Sequence, residues 1–218
     1  MGATELYDQR FNPAERAAKA RLWAVLCGDF LQQYVAPGDA VLDLGAGFCE
    51  FINHIACAQK FAVDADAQVR QCAAPGVEVH VGPVHELGWL GDGAVNVVFA
   101  SNLFEHLPSK DVLLATLREV HRILRPGGRL LVLMPNIRFA YRQYWDFLDH
   151  HLPLSDRSMV EALELTGFSP REVRPRFLPY TTKSAAPQWP WLVRLYLRCP
   201  PLHWLFGQQM FIAAVRAT

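Results

Sequence analysis

Ala40-Val41-Leu42-Asp43-Leu44-Gly45-Ala46-Gly47-Phe48-Cys49-Glu50 begins as a short apolar run, passes through an acid and ends in two alternating glycines. Its first five residues have the length and composition of a strand buried on both faces. The glycines let the backbone turn sharply and approach a ligand closely, and a helix is expected to open behind them. Strand, glycine turn and helix in that order form the first step of an open α/β sheet. Such sheets bind ligands at the carboxyl end of the first strand, where the strand order reverses.

Working outward from this step, further short β-rich runs appear at Lys60 to Asp64, Val77 to Val81, Ala94 to Ala100 and Arg129 to Met134. The clearest helix between them is Ser109 to Arg125, with Leu113, Leu117, Val120 and Leu124 on one face and Pro126-Gly127-Gly128 as its stop. Alternation of strand and helix from about residue 40 to 135 predicts a parallel sheet covered on both faces. Upstream, Asn12-Pro13-Ala14-Glu15 supplies a cap, a first-turn proline and an acid, opening a helix through roughly residue 35. Downstream, Ser155 to Thr166 reads as a helix closed by Gly167, and Glu172 to Thr182 and Gln209 to Val215 read as the last two strands.

The predicted fold is α/β: a Rossmann-like, doubly wound, mostly parallel seven-stranded sheet with helices on both faces. It is read as one domain over 1–218. Residues 1–37 form a helical cap, 38–135 the cofactor-binding core and 136–168 an acceptor-side insertion. Residues 169–218 hold the C-terminal strands with an aromatic helical insertion at 188–206.

The 218 residues are 51% hydrophobic and 19% charged, which suits one compact domain. Lys plus Arg equals Asp plus Glu at 21 each, so the basic footprint that nucleic acid demands is absent and no nucleic-acid partner is expected. Cys27, Cys49, Cys57, Cys72 and Cys199 are odd in number and lack metal-ligand spacing, and no apolar signal segment opens the chain. A reducing, cytoplasmic location is the expectation. Gly2 suggests myristoylation, but Leu6 stands where that motif requires Ser or Thr.

Asp64 ends the second strand 17 residues after Gly47, near the spacing at which an acid reaches a ribose. Gly45-Ala46-Gly47 alone is equally well a structural turn; the strand before it and Asp64 after it favour a nucleotide-like ligand. An NAD(P)-dependent oxidoreductase is one reading, but its loop completes Gly-x-Gly-x-x-Gly to seat a pyrophosphate. Here the sixth position is Glu50, whose charge repels one. S-adenosylmethionine carries adenosine without phosphate, and its ammonium and sulfonium tolerate Asp43 and Glu50.

In these residues the chain resembles the class I S-adenosylmethionine-dependent methyltransferases, the type 11 domain in particular. The resemblance runs from about residue 38 to 135. It rests on Asp43 to Gly47, on Asp64, on Ser101-Asn102-Leu103-Phe104-Glu105-His106-Leu107 and on the Leu124 to Gly128 turn. It implies S-adenosylmethionine as cofactor, held by Asp43, Gly45, Ala46 and Gly47 in the glycine loop. Asp64, with Ala65 beside it, would hold the ribose hydroxyls, and Ser101 and Asn102 would lie next to cofactor and acceptor. Two positions depart from the family: Cys49 replaces a third glycine, and Pro83 replaces an acid near the adenine amino group. Adenine recognition is left to backbone groups such as the amide of Val84.

Methyl transfer to a hydroxyl needs positioning and a base, and a neutral histidine is suited to accept a proton near neutrality. His106 follows the fourth strand, and His150 and His151 close a segment that also holds Phe139, Tyr141, Tyr144, Trp145 and Phe147. His106, His150, His151 and Tyr144 are therefore the candidate catalytic residues, set against plain packing or surface roles for each. Aromatic faces interspersed with Arg138, Arg142, Asp146 and Asp149 suit a small-molecule or glycan hydroxyl, or else an amphipathic helix packed on the core. The segment from Tyr144 to Ser155 with Arg176 to Thr182 is similar to bacterial methyltransferases found with polysaccharide or glycolipid genes. The remaining histidines are scattered without metal spacing, and no metal is expected. A catalytically silent methyltransferase-like subunit is the non-enzymatic alternative.

Gln188 to Phe206 is rich in Trp and Leu but is cut by Pro200-Pro201 and carries Arg194 and Arg198, so it cannot span a bilayer. Burial against the sheet edge or in a homodimer is the plain reading. Peripheral membrane contact, or cover over a lipid-linked acceptor, is the sharper one.

Overall fold

The computed structural model describes residues 13–180 and 189–217, with side chains from residue 19 onward. Helix α1 (Pro13–Asp29) starts on its proline, as expected, and the capping residue Asn12 lies outside the described residues. A 3-10 turn, Leu31–Tyr34, follows, so the helix expected to reach residue 35 is in two pieces.

Strand β1 (Ala40–Leu44) is buried along its whole length and pairs in parallel with β2 (Gln59–Asp64) and β4 (Val95–Ser101). With β3 (Val77–Val81), β5 (Leu124–Pro135), β6 (Phe168–Arg174) and β7 (Gln209–Arg216), the sheet order is β3-β2-β1-β4-β5-β7-β6. Strand β7 runs antiparallel to both β5 and β6, and the rest of the sheet is parallel, as the sequence predicts. The chain steps from β1 out to β3, then returns to the far side of β1 as β4. The order reverses there, at the carboxyl ends of β1 and β4, the position at which open α/β sheets bind their ligands.

Between the strands lie α2 (Glu50–His54), α3 (Val69–Cys72), α4 (Lys110–Ile123), α5 (Ile137–Ala140), α6 (Asp156–Leu165), α7 (Pro190–Leu197) and α8 (Pro200–Phe206). One face of the sheet is covered by Leu113, Leu117 and Val120 of α4 and by Met159 and Leu163 of α6. The other is covered by Trp23, Leu26 and Phe30 with Phe51 and Ile52, packed on Phe99 and Phe211. Two buried apolar layers on one sheet explain why its central strands lack alternation.

Helix α4 is capped by Ser109, whose hydroxyl accepts from the Val112 amide at 3.3 Å. It stops at Ile123 because Leu124 already pairs with Val95, and Pro126-Gly127 then bulge out before the ladder resumes at Arg129. A Cβ on Gly128 would sit 2.8 Å from the Arg125 carbonyl, so the turn admits only glycine there. Strand β6 differs from expectation: it spans 168–174 instead of 172–182. Gly167, at φ +88°, turns the chain directly from α6 into the sheet. Beyond it, Arg176 bonds the carbonyls of Leu205 and Gly207 and draws the chain toward α8. Thr181 and Thr182 lie outside the described residues. Among those described, no helix is long and apolar enough to cross a membrane.

Candidate active site

The cofactor side is built from backbone first. The amides of Gly45 and Ala46 both donate to the Val63 carbonyl, at 2.9 and 3.0 Å, which ties the turn after β1 to the end of β2. Gly45 sits at φ +71° and Gly47 at φ +50°, a region that costs glycine little. A Cβ on Gly45 would lie 2.7 Å from Leu103 Cδ1, so the loop after β4 leans directly on the glycine loop. At Gly47 the same construction meets nothing within 4 Å, and the residue is exposed. Cys49, at φ +59°, adopts the left-handed conformation without being glycine and is fully buried.

Asp64 is half-buried, and its two oxygens accept from the Gly47 amide at 2.8 Å and the Asp66 amide at 2.9 Å. Each carboxylate oxygen keeps a second lone pair, so the side chain is oriented and still able to accept from a ligand hydroxyl. Asp43 is buried and accepts from the Ile52 amide at 3.3 Å. Burial, and next the charges of Glu50 and Asp64, push its carboxyl up to about 8 despite that bond. Glu50 is bridged to Lys19 at 3.0 Å. Ala46 and Val84 are buried, Ala65 is exposed, and Ser101 and Asn102 are half-buried at the end of β4. Asn102, at φ +48°, donates through its side chain to Ser101 Oγ at 3.1 Å. The set is acidic and offers no cationic cradle for a pyrophosphate; it suits a ligand with hydroxyls and positive charge.

On the acceptor side the chain folds back over the loop after β4. The amides of His151 and Leu152 both donate to the Glu105 carbonyl, at 2.8 and 3.1 Å. Asn136, Arg138 and Asp156 anchor the other end: Arg138 and the Asn136 side chain both donate to Asp156 Oδ1, at 2.8 and 2.7 Å. His106 Nδ1 lies 2.9 Å from the Asp149 carbonyl and 3.4 Å from its Oδ2. That contact fixes the tautomer with the proton on Nδ1 and the lone pair on Nε2. His150 is buried, edge-on to His106 at 4.9 Å and to Tyr144 at 4.7 Å, and stacked on Phe147 at 5.1 Å.

The two adjacent histidines therefore part company. His150 turns into the cluster, and His151 is exposed. Tyr144 is fully buried, with its hydroxyl donating to the Leu152 carbonyl, so it shapes the wall of the site. The insertion is a series of short turns, with Tyr141 and Trp145 turned outward and Tyr144 inward, instead of one amphipathic helix.

Sequence reasoning passed over Glu105. It is 1% exposed, burial raises its carboxyl to about 8 with the Asp149 charge adding to the rise, and its Oε2 has no hydrogen-bond partner. Ligand atoms of Glu105, His106 and His150 lie within 4.8 Å of one another. The adjacent Glu105-His106 pair was the only visible signal; His150 joins it from 44 residues along the chain, a distance no spacing rule covers.

Comparisons with known proteins bear on the family and the fold. Residues 42–132 match the family described as a methyltransferase domain. The chain is 29% identical over 161 residues to a demethylmenaquinone methyltransferase of Mycolicibacterium vanbaalenii, covering 70% of this chain and 66% of that protein. It is 30% identical over 128 residues to an uncharacterized 37.1 kDa protein in transposon TN4556 of Streptomyces fradiae, covering 54% of this chain and 34% of that one. The chain thus spans about a third and just under two thirds of these two relatives. A SAM-dependent methyltransferase structure from Archaeoglobus fulgidus superposes with a TM-score of 0.67 over 98% of this chain and all of that one, at 19% identity, and shares the fold. Residues 42–132 thus carry the match to a methyltransferase domain, and the chain shares the fold of the Archaeoglobus SAM-dependent methyltransferase.

Proposed function

We propose that the protein transfers a methyl group from S-adenosylmethionine to a hydroxyl of a small-molecule acceptor of the sugar or glycolipid kind. The observation that carries this reading is the approach of two unlike clusters behind the carboxyl ends of β1 and β4, the two walls of the proposed crevice. Asp64 and the glycine loop stand on one side, the Glu105-His106-His150 cluster on the other, and Leu103 packed against Gly45 joins them. When bound, S-adenosylmethionine supplies an electrophilic methyl group. Asp64 accepts from the ribose hydroxyls, the buried carboxyl of Asp43 faces the ligand's cationic end, and the backbone at Val84 borders the adenine. His106, oriented by the Asp149 carbonyl, takes the acceptor's proton on Nε2, and Tyr144 and Phe147 pack on the His150 ring beside it.

A lipid-linked acceptor is favoured by the surface of α7 and α8. Trp189, Trp191, Leu195, Trp204, Leu205 and Phe206 are all more than half exposed there. The Mycolicibacterium relative is named as a demethylmenaquinone methyltransferase. The reading of this segment as a homodimer contact competes for the same side chains.

Calorimetric titration tests the cofactor. Heat is expected with S-adenosylmethionine and none with a nicotinamide dinucleotide, and the reverse result overturns the proposal. Incubation with candidate hydroxylated acceptors, followed by mass spectrometry for a methyl gain, tests the transfer. Cofactor binding without turnover on any acceptor class would favour a silent subunit.

A further inference from the structure

We infer that Glu105, His106 and His150 form a binding site for a borderline divalent cation such as Zn2+, Mn2+ or Co2+, on the acceptor wall of the crevice. The inference rests on the reading of that wall as the acceptor side, and it adds a metal that no spacing along the chain suggests.

The first support is the ligand set. One carboxylate and two imidazoles within 4.8 Å of one another match a three-ligand site that leaves coordination positions open. A tetrahedral metal about 2.0–2.2 Å from each ligand holds its ligand atoms roughly 3.3–3.6 Å apart, so closure draws the side chains together by up to about an ångström. The second is independent of the cluster. Glu105 Oε2 is buried without a hydrogen-bond partner, in a residue that is 1% exposed. A carboxylate so placed is costly unless a cation reaches it, and the neighbouring charge is Asp149, of the same sign. The third is the outer shell. His106 donates Nδ1–H to the Asp149 carbonyl at 2.9 Å, an arrangement that orients metal-bound histidines and leaves Nε2 as the ligand atom. Tyr180 Oη, 3.5 Å from His150 Nε2, bounds the site on its other flank.

The chemistry that follows is Lewis-acid help to the acceptor. A dication at an open position lowers the pKa of a hydroxyl brought to it, and the proton leaves to solvent. His106 has one lone pair, so a bound ion takes over the deprotonation that His106 alone would perform.

The test uses the metal alone as probe. Apo protein titrated with Co2+ is expected to bind one ion per chain, with the intensified absorption of a low-coordinate nitrogen and oxygen site, and Zn2+ should displace it. Glu105→Gln and His150→Gln should each weaken binding by more than the roughly 10- to 100-fold that loss of an outer-shell partner costs, and Asp149→Asn should fall within that range. His85→Ala, outside the site, should bind as wild type does. Wild-type binding no tighter than in both Glu105→Gln and His150→Gln, with all three showing the same melting transition, overturns the inference. S-adenosylmethionine titrated into the same samples separates the two readings. Cofactor heat without a specific metal sinks only the metal site, and no cofactor heat in folded, metal-loaded protein sinks the methyltransferase reading beneath it.

Discussion

The two walls of the crevice are built in opposite ways. The cofactor wall takes Asp43, Gly45, Gly47 and Asp64 from 22 consecutive residues, and each is set by strand register or by a backbone hydrogen bond. The acceptor wall takes Glu105 and His106 from one loop, His150 from 44 residues further on and Tyr180 from beyond β6. A wall made by local chain geometry leaves a spacing in the sequence. A wall made by tertiary return leaves residue types without spacing. The same contrast separates their expected functions, since one binds a fixed ligand and the other meets a variable acceptor.

The sharpest way to break the comparison is to find that the walls are not separable. His106→Ala should lower turnover on the true acceptor by roughly 10²- to 10⁴-fold while leaving calorimetric cofactor affinity near wild type. His150→Ala should follow it in direction, and His151→Ala, on an exposed ring, should change turnover least. Equal loss of cofactor affinity and turnover in His106→Ala would merge the two walls into one site.

The next effect is on the other wall. Asp64→Ala removes a charged acceptor from the ribose side, at about 1.5–3 kcal/mol for each hydrogen bond lost, which is a tenfold or greater loss of affinity per bond. Cofactor titration reads it directly. Retained affinity in this variant would take the ribose role away from Asp64.

How much the sequence revealed follows the same division. Alternation predicts β1 to β5 and α4 to within a few residues, because strand and helix periods are local. The start of β6 was missed because Gly167 turns the chain straight into the sheet, and Ser169-Pro170 do not read as strand. In the proposed site, the proximity of the glycine loop and Asp64 is legible from their spacing, whereas which of His150 and His151 turns inward is not, since adjacent residues of one type differ only in which way an irregular segment turns them. Glu105 was hidden for a related reason: a glutamate in a polar loop looks solvated until 151–152 folds across it.

Asp43 offers a pH test confined to the cofactor wall. Its carboxyl is raised by burial to about 8, far above the unfolded value, so the native state keeps a proton that the unfolded chain releases. Stability from this group is complete below the unfolded pKa and is lost as pH rises from about 4 through 8. Asp43→Asn removes the titration while keeping an acceptor for the Ile52 amide. Its stability relative to wild type should therefore climb across that window, by an amount on the order of 5 kcal/mol, read from denaturation midpoints at several pH values. Glu105 titrates in both proteins and drops out of the difference. A gap that is flat with pH would mean that water or a cation already stabilises the ionised form.

The smallest expected effect concerns the surface beyond the acceptor wall, where sequence and structure agree on composition but differ on charge. The arginines expected to face lipid headgroups are instead drawn toward α1, with Arg194 3.0 Å and Arg198 3.8 Å from Asp29. Beside the still exposed Arg198, the outward side chains are apolar: Trp191 is 58% exposed and Trp204 72%, the latter with Arg176 5.6 Å above its ring. Side chains this exposed contribute little to folding, so Trp191→Ala with Trp204→Ala should leave the melting temperature nearly unchanged, apart from a cation–π contact worth about 0.5–1 kcal/mol. Tryptophans favour the bilayer interface, so the wild-type protein should float partly with vesicles and the double variant less. Because Asp29 offsets one of the two arginine charges, anionic lipid should improve flotation only modestly over neutral lipid, and salt should weaken it to the same modest extent. Wild-type protein that stays in the soluble fraction with both vesicle types, while the double variant melts earlier or loses a dimer in sedimentation, would assign the patch to protein contact. The acceptor would then need no membrane to reach the crevice.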